Sequence, residues 1–262
     1  MFRKSKALAS LLLVSLLTGT AVARTVFLLP NASSTTPLVT AFQPDSNSVI
    51  SSFAVQTAAS AVIAHPTLNK YYVLARSTTD TLLVVDGANF NNITKRISLG
   101  QGETMALSPD GRRLVIVGGS VFIIDTATDN LIATISDAGN SPNDVAMSLD
   151  STRAFVLNST QNRLTSIDLT NNTIAGSVSI PGVSTGVAVA PNGFLYVTAI
   201  NRIFEIDGKT MLNRKEVQLN ARPGKMVFTS DGKFGLTVNQ TPVTGSSVLI
   251  DRKSTRLNSS HG

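Results

Sequence analysis

Along most of the chain, short runs of Val, Ile, Leu, Phe and Thr alternate with clusters of Asp, Asn, Gly, Ser and Pro. Apolar runs of about four to eight residues between such clusters predict β-strands joined by tight turns. No window outside residues 7–17 keeps a helical period. The stretch from Asn143 shows the pattern well. Strands are expected over 144–148, 154–157, 164–167 and 173–180, separated by polar turns, with Pro181-Gly182 ending the last.

This pattern recurs. Five segments begin alike, at Ala64, Ala106, Ala146, Ala188 and Val227, spaced by 42, 40, 42 and 39 residues. An aliphatic residue followed by Asp lags each of them: Val85-Asp86, Ile124-Asp125, Ile167-Asp168, Ile206-Asp207 and Ile250-Asp251, spaced by 39, 43, 39 and 44. Two markers keeping one period define a four-stranded unit of about forty residues, the size of a propeller blade. The expected fold is therefore all-β, an incomplete β-propeller of four-stranded antiparallel blades belonging to a seven-bladed ring. A partial blade is expected in 24–57, with strands at 25–29, 38–43 and 49–55. Blades follow at 58–101, 102–140, 141–182, 183–221 and 222–251, the last without its fourth strand.

Turn chemistry accounts for the recurring acids. In Pro109-Asp110-Gly111 the proline presets φ and the glycine accepts a positive φ, and Pro191-Asn192-Gly193 and Ser230-Asp231-Gly232 follow the same plan. The Asp that closes each third strand is expected to cap the next turn with its side chain. These carboxylates are read as turn formers rather than as catalytic acids or metal ligands.

The units are not of the WD type, because the chain has no Trp and no Gly-His pair. They resemble the YVTN family of β-propeller repeats of exported bacterial and archaeal proteins. Leu195-Tyr196-Val197-Thr198 keeps three of the four signature residues in order, with Ala199 departing from it. Asn158 and Asn239 end their strands as the signature Asn would, and Ile167-Asp168 and Ile124-Asp125 match the family's Ile-Asp step. The resemblance spans residues 58–251 and implies a fold and an exported setting; the family hosts many roles, so it implies no one activity.

The two ends read differently from the body. Arg3, Lys4 and Lys6 precede an apolar run over 7–17, and Ala21-Val22-Ala23 then offers small residues to a signal peptidase. Residues 1–23 are read as a secretory signal cleaved between Ala23 and Arg24, which leaves no stable membrane span. The expected location is extracellular, periplasmic or cell surface. Residues 252–262 are polar where a strand is due and are read as a non-native tail. Both ends carry the charge excess. The net charge of +6 comes from Arg3, Lys4, Lys6, Arg252, Lys253 and Arg256, and the body balances 16 basic against 16 acidic residues. A neutral body without a basic face argues against nucleic acid as a partner.

Candidate chemistry is sparse. The chain has 0 Cys and 2 His, which excludes thiol catalysis, disulfides and cysteine metal sites. His65 stands in a turn before Pro66 and is read as structural. No nucleophile elbow, zinc-binding His pair, P-loop or calcium loop is present. No catalytic residue, metal or cofactor is assigned. The loops after the second strand, and those joining one blade to the next, gather around one mouth of a propeller channel. There Arg76, Asn158, Asn162, Asn201, Arg202 and Asn239 offer hydrogen-bonding groups suited to a protein or carbohydrate ligand. The sequence thus reads as a secreted, non-enzymatic binding scaffold for protein or surface-polymer partners. The alternative is a fragment of a propeller lactonase or hydrolase whose catalytic residues lie in further blades.

Overall fold

The computed structural model describes residues 26–28, 38–43, 45–55, 58–77, 79–89, 92–136, 138, 141–239 and 248–252; side chains are excluded for 26–28, Gln43, Asn239 and 248–252. The expected signal with its Ala23–Arg24 junction, and residues 253–262 of the expected tail, lie outside these residues. Among the described residues no helix is long and apolar enough to cross a membrane.

Among the described residues, twenty-two strands form six antiparallel sheets in chain order. The first holds β1 (Val26–Leu28), β2 (Leu38–Gln43) and β3 (Ser48–Ala54). The second holds β4 (Ala59–Ala64), β5 (Lys70–Ala75), β6 (Thr81–Asp86) and β7 (Ile93–Ser98). The third holds β8 (Gly102–Leu107), β9 (Arg113–Gly118), β10 (Val121–Asp125) and β11 (Asn130–Ile135). The fourth holds β12 (Asp144–Met147), β13 (Arg153–Asn158), β14 (Arg163–Asp168) and β15 (Thr173–Ser179). The fifth holds β16 (Ser184–Val189), β17 (Phe194–Ala199), β18 (Arg202–Asp207) and β19 (Leu212–Gln218), and the sixth β20 (Pro223–Phe228), β21 (Phe234–Asn239) and β22 (Val248–Arg252). Strands within each sheet pair in sequence order.

The burial pattern explains how the sheets stack. The two middle strands of a full sheet are apolar on both faces, because each face meets a neighbouring sheet. Along β5, Tyr71 and Val73 face the first sheet with Val39, Ala41 and Phe53. Their neighbours Tyr72 and Leu74 face the third sheet with Leu114, Ile116 and Ile124. The same alternation sets Val115, Val117 and Ile123 against Val145, Ala154 and Val156, and Phe155 and Leu157 against Leu195, Val197 and Ile206. The opening strands β4, β8, β12, β16 and β20 contact one another in that order. Closing strands such as β11, β15 and β19 keep mostly exposed side chains. The first strand of each sheet therefore lies toward a common axis and the last forms the rim, as in propeller blades.

The lagging marker has a backbone cause. Where the third and fourth strands pair, the register shifts between Ala41 and Phe42, Val84 and Val85, Ile123 and Ile124, Ser166 and Ile167, and Glu205 and Ile206. In the second to fifth sheets each aliphatic-Asp pair is thus a β-bulge followed by a turn-capping acid. The turn then ends on a left-handed residue: Asn47, Asp129, Asn172 and Met211 have φ of 50, 54, 59 and 56°. Asn and Asp tolerate this conformation; Met does not favour it.

Candidate functional site

The loops after the second strand and those between sheets do share one face. Backbone hydrogen bonds join them directly, from Arg76 N to Ala58 O, Gly119 N to Gln101 O, Ile200 N to Val183 O and Leu219 N to Asn201 O. On that face the sequence-predicted residues are largely engaged by the fold. The exposed Arg76 guanidinium grips Glu103 with two hydrogen bonds of 3.1 and 2.8 Å, tying the second sheet to β8. Asn158 ends β13 with none of its surface exposed, and its Oδ1 accepts the Gln161 N–H at 2.9 Å. It shapes the loop from inside. Asn162 sits at φ 50°, and its amide nitrogen, once turned inward, donates to Ser159 O at 3.1 Å and Gly182 O at 2.7 Å. Arg202, the first residue of β18, pairs with Glu216 at 2.9 Å. Asn201 is exposed at φ 60°, and the Asn239 side chain lies outside the described residues.

Two buried acids on this face carry the inter-sheet bonding, and sequence reading passed over both. Asp80 Oδ1 accepts Ser77 N and its Oδ2 accepts Gly102 N, each at 2.7 Å, so one carboxylate joins the second sheet to the third. Asp144 opens β12 with its side chain 1% exposed. It accepts Val145 N and Val187 N at 2.9 and 3.0 Å and pairs with Lys225 Nζ at 2.6 Å. Burial raises its carboxyl above the ordinary range, against the lowering effect of the Lys225 charge.

The opposite face carries the turns between first and second strands and between third and fourth. Asp150 is held below the ordinary carboxylate range by the Ser148 hydroxyl and Thr152, Asp168 by Thr170 N–H, and Asp207 by the Thr210 and Lys209 N–H groups. At Asp110 and Asp125 burial opposes the shift, and bonds from Ser108 and Arg112 and from Thr128 outweigh it. These are the caps the sequence predicts. His65 is a structural pin: its Nδ1 accepts the Thr67 and Leu68 N–H groups at 3.2 and 2.9 Å, which leaves the proton on Nε2, 2.9 Å from Gly111 O. Burial lowers its pKa. Among the described residues no group of three or more His, Cys, Asp or Glu could hold a metal ion.

The boundary between the fourth and fifth sheets stays open on this face. Between the second and third sheets, Lys70 Nζ and Tyr72 OH converge on Asp129 Oδ1 at 2.7 and 2.8 Å, and Thr126 is buried beside Gly111. Between the third and fourth, Leu169 is buried among Val115 and Ala154, and Asp110 N meets Ser151 Oγ at 3.0 Å. Between the fourth and fifth, Gly208 follows Asp207 as Thr126 follows Asp125, and Met211 stands where Asp129 does. The turn before β17 is also shorter. It closes from Ala190 N to Phe194 O, whereas Ser108 N to Arg113 O and Ser148 N to Arg153 O span one residue more. A groove of about 360 Å³ results, lined by Ser148, Leu149, Asp150, Arg153, Phe155, Asn192, Gly193, Phe194, Asp207, Gly208 and Lys209.

With this geometry in hand the chain can be set beside known proteins. In shape it is similar to a chain in the crystal structure of a mitotic checkpoint complex, with a TM-score of 0.70 over 81% of this chain and 67% of that one. The fold is a β-propeller. The two sequences are 14% identical, so the likeness carries the architecture and nothing of function. No protein-family model matches the sequence, and no curated protein matches it either.

Proposed function

We propose that this propeller is an exported, non-enzymatic binding scaffold of the YVTN-like type, serving protein or surface-polymer partners. The observation that carries this reading is the groove between the fourth and fifth sheets, where the packing that closes the second–third and third–fourth boundaries gives way to a mixed polar and aromatic cleft. The titratable groups on this face support the same reading. His65 has both ring nitrogens engaged, and the turn carboxylates are committed to backbone caps, so neither is poised as a general base. The signal-like N-terminus and the Tyr196-Val197-Thr198 signature support the exported, YVTN-like part.

Two measurements test it. Mass analysis of the exported chain should find a mature terminus at Arg24; retention of Met1 inside the cell contradicts export. An array of glycans and envelope proteins should retain the 262-residue chain, and a blank array contradicts the scaffold role.

A further inference from the structure

The groove's chemistry is specific enough to name a ligand class, an inference that rests on the binding reading above. Arg153 is its central group. In β5 and β9 the equivalent first residues, Lys70 and Arg113, meet carboxylates, Asp129 and Asp125, at 2.7 and 2.6 Å. Arg153 stands opposite the equivalent Asp168 and its charge helps lower that carboxyl, but the two make no direct ion pair of the kind Lys70 and Arg113 make. Its Nη1 reaches the Gly208 and Lys209 carbonyls only at 3.4 Å and the Ser166 hydroxyl at 3.5 Å, near the limit of a hydrogen bond. A half-buried guanidinium whose hydrogen bonds are this long keeps donors for a further acceptor.

The rest of the lining decides what that acceptor belongs to. Arg153 and Lys209 contribute two positive charges and Asp150 and Asp207 two negative ones, so the groove has no net charge. Asp150 and Asp207 are held in their ionised form by turn bonds and would repel a carboxylate or phosphate ligand. What remains is a neutral molecule with several groups that both donate and accept. Phe155, Phe194 and Leu149 add apolar surface, and Leu149 is 52% exposed. A volume of about 360 Å³ lies at the small end of ligand pockets. We infer that the groove between the fourth and fifth sheets is a carbohydrate subsite that takes one neutral sugar ring, with its hydroxyls on Arg153, Asn192, Asp150 and Asp207 and its C–H face on the apolar wall.

The test is a titration of the 262-residue chain with the methyl pyranosides of glucose, galactose, mannose and N-acetylglucosamine, read by saturation-transfer NMR and by amide shifts. Sodium glucuronate and an acidic pentapeptide serve as anionic arms. At least one neutral glycoside should bind and shift groove amides. Arg153→Met and Leu149→Glu should each weaken it at least tenfold, while Arg112→Met on an outlying turn changes nothing. Should Arg153→Met unfold, as circular dichroism would reveal, Leu149→Glu and Lys209→Ala alter only exposed side chains and carry the test. Preference for an anionic arm, no glycoside binding, or binding indifferent to these substitutions overturns the inference. Glycan binding elsewhere on the molecule also overturns it, yet leaves the scaffold reading standing.

Discussion

Asp144 and Lys225 form an ion pair at 2.6 Å although they belong to the fourth and sixth sheets. The pair reaches across the fifth sheet at Gly186, where an added Cβ would come within 2.8 Å of Lys225 Cγ and 3.1 Å of its Cα. Three opening strands thus meet at one carboxylate. Gly186→Ala should cost about 1–3 kcal/mol by forcing the Lys225 stem away, as overpacking does elsewhere. Urea unfolding followed by circular dichroism measures it, and a neutral substitution would contradict the proximity of the three strands.

His65 should act as a neutral pin between the second and third sheets. Its folded pKa lies below the ordinary value near 6.5, so the folded state binds fewer protons than the unfolded chain as pH falls from there. Stability is therefore expected to decline from pH 7 toward pH 5. Protonation would set a new N–H on Nδ1 against the two backbone donors it now accepts. NMR titration of the imidazole checks the shift; a midpoint at or above 6.5 rejects the pin.

The capping carboxylates act lower on the pH scale. Asp207 keeps a pKa below the ordinary value near 4, so its contribution is fully present above that value and is lost as pH falls through the lower folded pKa. Asp207→Asn preserves an acceptor for the Lys209 and Thr210 N–H groups but removes the charge. The variant should melt a little below the parent at pH 7, and the gap should narrow as pH falls below the ordinary carboxylate value. Equal melting temperatures across this range would show that the charge adds nothing to the cap.

Tyr72 and Phe155 occupy the third position of their strands, and their neighbours dictate which of them uses a hydroxyl. Tyr72 OH finds Asp129, while Phe155 packs beside Met211. Tyr72→Phe should cost about 1–2 kcal/mol through the lost bond to a charged acceptor. Phe155→Tyr should gain nothing, since Met211 stands where Asp129 does in the third sheet. Thermal melts of both variants check this, and a stabilised Phe155→Tyr would mean the groove is wetter than its geometry indicates.

The strand order was legible because apolar runs and turn residues act locally and recur with one period. The expected strands over 144–148 and 173–180 end one residue early, at Met147 and Ser179, which is ordinary fraying at turns. Asp80 and Asp144 were not legible. Each is a single Asp near a strand start, indistinguishable in sequence from a turn cap, and only the stacking of sheets brings Gly102 N or Lys225 to it. The loop residues proposed for the mouth looked free for the matching reason: Glu103 and Glu216, which occupy Arg76 and Arg202, are distant along the chain or across a strand pair. The groove did leave a trace. Between the turn glycine and its strand, APNGF is one residue shorter than SPDGRR, and Gly208, like Gly87, follows its marker Asp where Thr126 and Leu169 follow theirs. Neither signal has meaning until two sheets are laid side by side.

The radial stacking of sheets underlies both the pinned carboxylates and the open groove. A double-mutant cycle on Asp144→Asn and Lys225→Met measures it most directly, because nothing but convergence of the opening strands couples residues so far apart in sequence. The structure predicts a coupling energy of about 1–3 kcal/mol between the two sites at pH 7. Strictly additive effects would contradict a shared axis.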